Sequence, residues 1–217
     1  KTFMVVCGHA GVKTGEDGPT HAEPQALQVF QENFPGDVMV TLTPWDPNEL
    51  WPLTIEALLQ RPAVIAPFVT RPTEVVIDRE ALGLAPSEAS VKGVYKLLEA
   101  NGTPDVTLVY QGSDVAYAFI DGVLPHLVEK GINADVYYIS SVELFDRLPA
   151  EEREAIFPAS AAASATSASA GAASVAAGSA GAVVAGSSAP HAARARNVKA
   201  RGIERVMDGP CQWSGLI

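Results

Sequence analysis

The strongest constraint on this chain is the rhythm of its first seventy residues, where short apolar runs alternate with helical stripes. Thr2–Cys7 is rich in strand formers and ends at Gly8, which reads as a buried strand. Gly8–His21 is too polar and too rich in Gly and Pro for a helix, and reads as a loop. Glu23–Phe34 sets Ala26, Leu27, Val29, Phe30 and Phe34 close to one helical stripe, which Pro35-Gly36 stops. Asp37–Leu42 is a second strand. Asp46-Pro47 opens a helix, because Asp caps free amides and Pro suits the first turn. That helix runs to about Gln60, with Leu50, Leu53, Ile55, Leu58 and Leu59 expected inward. Ala63–Val69 is a third strand, interrupted by Pro67. This alternation predicts a parallel α/β architecture.

Arg71 to about Ser90 is polar and broken by Pro and Gly, and reads as an interdomain connector. A second α/β unit follows, expected to be mostly parallel. Val91–Leu98 fits either a strand or a short helix. Val106–Tyr110 is a strand, and Gln111-Gly112 turns the chain. Ser113 or Asp114 caps a helix reaching about Lys130, with Gly131 in the C′ position that helices favour. Ala134–Ile139 is the next strand. Glu143–Leu148 and Ala150–Ile156 are short helical pieces around Pro149.

Composition narrows the function classes. A length of 217 residues suits one or two domains and a core that needs no disulfide or metal staple. Two cysteines, Cys7 and Cys211, make no secreted disulfide framework. No apolar run approaches the roughly 20 residues that span a bilayer. No basic and then apolar leader opens the chain. A cytoplasmic protein with no membrane partner is therefore expected. Residues 1–158 hold 10 Lys+Arg against 23 Asp+Glu, which argues against a nucleic-acid partner needing clustered cations. Every residue from Ala159 to Ala189 is Ala, Ser, Gly, Val or Thr, and cannot fill a core. That stretch reads either as a flexible linker or as stand-ins for an undetermined sequence. The basic stretch Arg194–Arg205 reads as a solvated helix face.

Chemistry concentrates in the loop after the first strand. His9, Glu16, Asp17 and His21 share a glycine-rich segment at the carboxyl end of a strand, where parallel α/β sheets bind ligands. Glycines allow close backbone approach, and histidine titrates near neutral pH. Elsewhere the plain reading holds. Cys7, Met4, Met39, Phe30 and Phe34 sit at core positions, and His126 lies on an exposed helix. His191 carries no signal, and Cys211 and Trp213 have no metal-ligand spacing.

The segment Gly15-Glu16-Asp17-Gly18-Pro19-Thr20-His21 resembles the signature of transketolases, where it lies in the pyrimidine-binding domain. His9 stands eight residues before Asp17, as in that family's pattern. Residues 106–115 (VTLVYQGSDV) resemble the first strand and helix start of the family's C-terminal domain, and residues 143–158 (ELFDRLPAEEREAIFP) are similar to its acidic helical stretch. Nothing after Pro158 resembles the family. The implied fold is a partial pyrimidine-binding domain followed by a transketolase C-terminal-like α/β domain. Its implied limits are 1–75 for the second half of the pyrimidine-binding domain, 76–90 for a connector, and 91–217 for the C-terminal-like domain.

The resemblance implies a thiamine diphosphate enzyme that moves a two-carbon ketol unit between sugar phosphates, using a divalent metal such as Mg. It implies His21 as the catalytic residue facing the donor-derived intermediate and hydrogen-bonding its hydroxyl. It implies Asp17 on the hydroxyl beside the reacting carbonyl, and His9 and Arg71 on the substrate phosphate. An arginine fork suits phosphate geometry. The sequence also departs from the family. Ala10-Gly11 replaces the usual Asp-Ser, Lys13 replaces a small or apolar residue, and Pro72-Thr73 replaces the usual Gln-Asn. The Gly-Asp-Gly motif that holds the diphosphate and metal is absent, as are the residues that stack and activate the aminopyrimidine. The expectation is a fragment that binds no cofactor alone and is inactive alone, with the N-terminal part of the enzyme as its partner in a homodimer. Two alternatives stand beside it. One is a related enzyme of the dihydroxyacetone synthase or 1-deoxyxylulose-5-phosphate synthase type. The other is a non-catalytic module for subunit association.

Overall fold

A computed structural model describes residues 1–8, 26–163 and 183–186. The first sheet has strands β1 (Phe3–Met4), β2 (Met39–Leu42) and β3 (Val64–Pro67), joined by helices α1 (Ala26–Asn33) and α2 (Pro47–Leu59). Its order is β1-β3-β2, and both pairings are parallel, as the alternation predicts.

Two expectations about this half fail. The Thr2–Cys7 run is not a buried strand. β1 is an edge strand among the described residues, with Phe3 67% and Val6 61% exposed. Its ladder is short because Pro67 offers no N–H toward it. Pairing resumes beyond that gap, where Cys7 donates to Pro67 O at 2.8 Å and Val69 donates to Cys7 O at 3.0 Å. Met4 and Phe34, expected in the core, are likewise exposed.

The inward face of α2 is the second correction. Leu53 and Ala57 are buried, but Leu50, Ile55, Leu58 and Leu59 are exposed, Leu59 at 69%. The buried row is Glu49, Leu53 and Ala57, one residue per turn along the helix. Apolar residues surround α2, so periodicity alone does not select its face. The start of α2 is as expected: Asp46 accepts from Asn48 N at 2.9 Å, and Pro47 fills the first turn.

The second sheet comprises β4 (Val94–Leu98), β5 (Val106–Tyr110), β6 (Ala134–Ile139) and β7 (Val183–Gly186), in the order β4-β6-β5-β7. It is mixed rather than mostly parallel: β5 and β6 run parallel, while β4 and β7 are antiparallel to their neighbours. Val91–Leu98 resolves as a 3-10 turn over Ser87–Lys92 followed by a strand. Helix α3 (Ser113–Ala118) passes through a wider turn at Phe119–Val123 into α4 (Leu124–Lys130), and Gly131 ends it at φ 64°. Two short helices, α5 (Val142–Asp146) and α6 (Ala150–Ile156), lie on either side of Pro149.

The carboxyl ends of β2 and β6 knit the two sheets together. Thr43 N donates to Ser140 O at 2.8 Å, and Tyr138 OH donates to Thr43 O at 2.6 Å. Glu143 of α5 accepts from Thr41 N at 3.1 Å and from Thr41 Oγ1 at 2.8 Å. Trp45, which follows β2, enters the core of the second sheet with Tyr95, Tyr117 and Tyr138. Leu144 of α5 joins the core of the first. The turn at Gly93 (φ 81°) admits only glycine, because a Cβ there would stand 2.2 Å from Ser141 O and 2.4 Å from Phe145 N.

Candidate functional site

The loop that carries most of the expected site residues follows β1 at the carboxyl end of the first sheet. Residues 9–25, which contain His9, Asp17 and His21, lie outside the described residues. The two ends of the site are described: Gly8, where the loop leaves β1, and Arg71, just beyond β3. Pairing from Cys7 through Val69 carries both there. A Cβ on Gly8 would stand 3.7 Å from Arg71 Cγ, so the arginine stem packs beside the loop's first residue. Arg71 is exposed. The structure therefore brings one implied phosphate ligand to the root of the loop that carries the other implied site residues.

Behind this end lies a buried ionic cluster that sequence reasoning misses. Arg79 donates from Nε to Asp46 Oδ2 at 2.8 Å, from Nη2 to Glu49 Oε1 at 2.7 Å, and from Nη1 to Ala85 O at 3.1 Å. Its guanidinium carbon lies 4.3 Å from the Trp45 ring centroid. Glu49 also accepts from the Tyr95 hydroxyl and, at 3.2 Å, from Trp45 N. Trp45 Nε1 donates to Tyr95 OH at 2.8 Å. Burial pushes the Glu49 carboxyl above its ordinary value, against the pull of Arg79 and of the hydrogen bonds from Tyr95 and Trp45. Burial and the nearby Glu49 push the Tyr95 phenol well up. Burial favours loss of the Arg79 proton, but Glu49 and Tyr95 outweigh it and the guanidinium stays charged. The sequence signal for half of this cluster is Asp46-Pro47-Asn48-Glu49, an acidic cap with Glu three residues later. No local signal marks Arg79 or Tyr95.

An open depression of about 490 Å³ runs along β4, lined by Ala85, Ala89, Lys92, Lys96 and Ile156 among others. Its lysines are engaged: Lys92 with Glu152 at 2.6 Å and Lys96 with Asp135 at 3.2 Å. It shares no lining residue with the Gly8–Arg71 end.

Among the described residues, no group of three His, Cys, Asp or Glu side chains could hold a metal ion. The described residues therefore offer no fit for a divalent metal. No described helix is long and apolar enough to cross a membrane.

Residues 93–199 match the family model described as the transketolase-like C-terminal domain. That match runs past Pro158 to residue 199, and so overturns the expectation that nothing after Pro158 resembles the family. The chain is 33% identical to the transketolase of Halalkalibacterium halodurans over 164 residues, covering 74% of this chain and 23% of that protein. It is 31% identical to the transketolase of Aquifex aeolicus over 155 residues, covering 71% and 22%. Among solved structures it is similar to a Pichia stipitis transketolase in complex with sedoheptulose-7-phosphate. The TM-score is 0.57 at 26% identity, covering 70% of this chain and 21% of that one. The chain thus spans less than a quarter of the length of these relatives.

Proposed function

From a chain that belongs to the transketolase family, through its C-terminal portion, we infer a substrate-holding part of a ketol-transferring enzyme. The observation that carries this reading is the packing of Arg71 against Gly8, at the root of the GEDGPTH loop. On this reading Arg71 and His9 hold the phosphate of a sugar phosphate. Asp17 accepts from the hydroxyl beside the reacting carbonyl, and His21 hydrogen-bonds a substrate hydroxyl near the reacting carbon. The similar Pichia stipitis enzymes solved with fructose-6-phosphate and with sedoheptulose-7-phosphate support this substrate class.

Thiamine diphosphate supplies the carbanion chemistry in such an enzyme, and polypeptide other than this chain holds it and its divalent metal. The chain acts with that polypeptide, in a homodimer, and is inactive alone. Calorimetry tests the division of labour. The chain is expected to show no tight Mg-dependent binding of thiamine diphosphate, and tight binding would sink the reading. For the parent enzyme, turnover of xylulose 5-phosphate with ribose 5-phosphate is the expected result, and none would count against ketol transfer.

A further inference from the structure

Between Arg71 and Arg79 the connector packs one apolar side chain, Ile77, against the core of the second sheet, while Val75 and Val76 are both exposed. Hydrogen bonds hold the rest of it. Thr70 Oγ1 donates to Glu74 Oε1 at 2.7 Å. The Tyr117 hydroxyl, from α3 of the second unit, donates to Val75 O at 2.7 Å. Arg79 closes the segment on Asp46, Glu49 and Ala85. One aromatic group supports the last two of these pins. Trp45 lies under Arg79, and its ring meets Tyr117 edge to face at 5.7 Å. Burial, then Glu74 and Asp46, keep the Tyr117 phenol protonated, so it remains a donor.

We propose that Tyr117 is a positioning residue, through which the second unit fixes the connector so that Arg71 stands ready at Gly8. This rests on the reading of Arg71 as a phosphate ligand and gives the second unit a part in substrate binding. Val75 is four steps along the chain from Arg71, a tether of about 14 Å at most, so a pin at Val75 limits where the guanidinium travels. Fixing the arginine beforehand removes ordering that binding would otherwise require.

The test uses the full chain and inorganic phosphate, with binding followed on the phosphorus NMR signal of the phosphate itself. Tyr117→Phe keeps the ring against Trp45 and removes only the hydroxyl. It is expected to weaken phosphate binding roughly two- to tenfold, the range one net hydrogen bond supports. Amide exchange over residues 73–78 is expected to speed up with it. Asn133→Ala is the control, because it removes bonds to Asn101 and Thr103 within the second unit and none to the connector. It is expected to lower the urea midpoint and leave phosphate affinity unchanged. Arg71→Ala is expected to abolish the response. Should Arg71→Ala weaken binding while Tyr117→Phe does not, the positioning role falls and the phosphate role stands. Should both Tyr117→Phe and Asn133→Ala weaken binding in step with lost stability, the role is merely structural and the proposal also falls. If Arg71→Ala has no effect, or the unaltered chain binds no phosphate, both ideas fall together.

Discussion

Arg79 stacks 4.3 Å from the centroid of Trp45 while its edge grips the two carboxylates that open the helix following that tryptophan. A segment beyond the first sheet is thus bolted to the start of α2, and the bolt is also part of the core around the second sheet. Replacing Arg79 with Met leaves Asp46 and Glu49 buried without their cation. A loss of about 3–5 kcal/mol in unfolding free energy is expected by urea titration at neutral pH.

The same cluster sets a pH dependence. The folded carboxyl of Glu49 sits above its unfolded value, so the folded state holds that proton more tightly. Its contribution is fully present below the ordinary carboxylate range of about 4.3 and is lost as pH rises through the raised value. The groups facing it are Asp46, Arg79, Tyr95, Tyr110 and Tyr138. Glu49→Gln is therefore expected to flatten the fall in urea midpoint between about pH 4.5 and neutrality. Arg79→Met is expected to steepen it, because the guanidinium no longer favours the carboxylate. An unchanged profile in Glu49→Gln would assign the slope to other groups.

Gly93→Ala places a methyl against the backbone of Ser141 and Phe145 at a positive φ. The turn between the 3-10 segment and β4 cannot relax without moving α5. A loss of at least about 2 kcal/mol is expected from backbone strain alone, read as a lowered melting temperature.

Glu143 ties α5 to β2 through the amide and hydroxyl of Thr41, and also accepts from Ser141 Oγ at 3.2 Å. Glu143→Ala is expected to cost about 1–3 kcal/mol and to speed hydrogen exchange at the Thr41 amide. Slowed or unchanged exchange there would show that the tie is not what protects it.

On α2 the two faces are expected to respond in opposite ways. Leu53→Ala empties a fully buried site and is expected to cost about 2–5 kcal/mol. Leu59→Ser and Trp51→Gln change exposed positions and are expected to stay within about 0.5 kcal/mol of the unaltered chain, by the same titration.

Local features explain which parts were legible in sequence. Val106–Tyr110 and Ala134–Ile139 have the expected limits because each is a short run of strand formers closed by turn residues. Gly131 ends its helix for a reason visible in one residue. The face of α2 was not legible, because leucines lie all round it and the choice is made by Glu49 with Arg79, thirty residues away. The mixed second sheet also depends on pairing that local pattern does not encode. In the site, family resemblance pointed to Arg71, and the structure adds its contact with Gly8. Only the Asp46 and Glu49 half of the ionic cluster has a local signal, because Arg79 and Tyr95 come from separate segments.

The outer edge of β1 has a consequence for handling the chain itself. Among the described residues, Phe3 to Val6 is an exposed apolar ribbon at a sheet edge, the kind of surface on which two molecules zip together. What opposes that contact is long-range repulsion, since residues 1–158 carry 23 acidic against 10 basic side chains. Acidification toward the pI of about 4.8, or high salt, removes the repulsion and leaves the ribbon untouched. Light scattering is therefore expected to show association rising on acidification or added salt, and least in dilute, low-salt, neutral buffer.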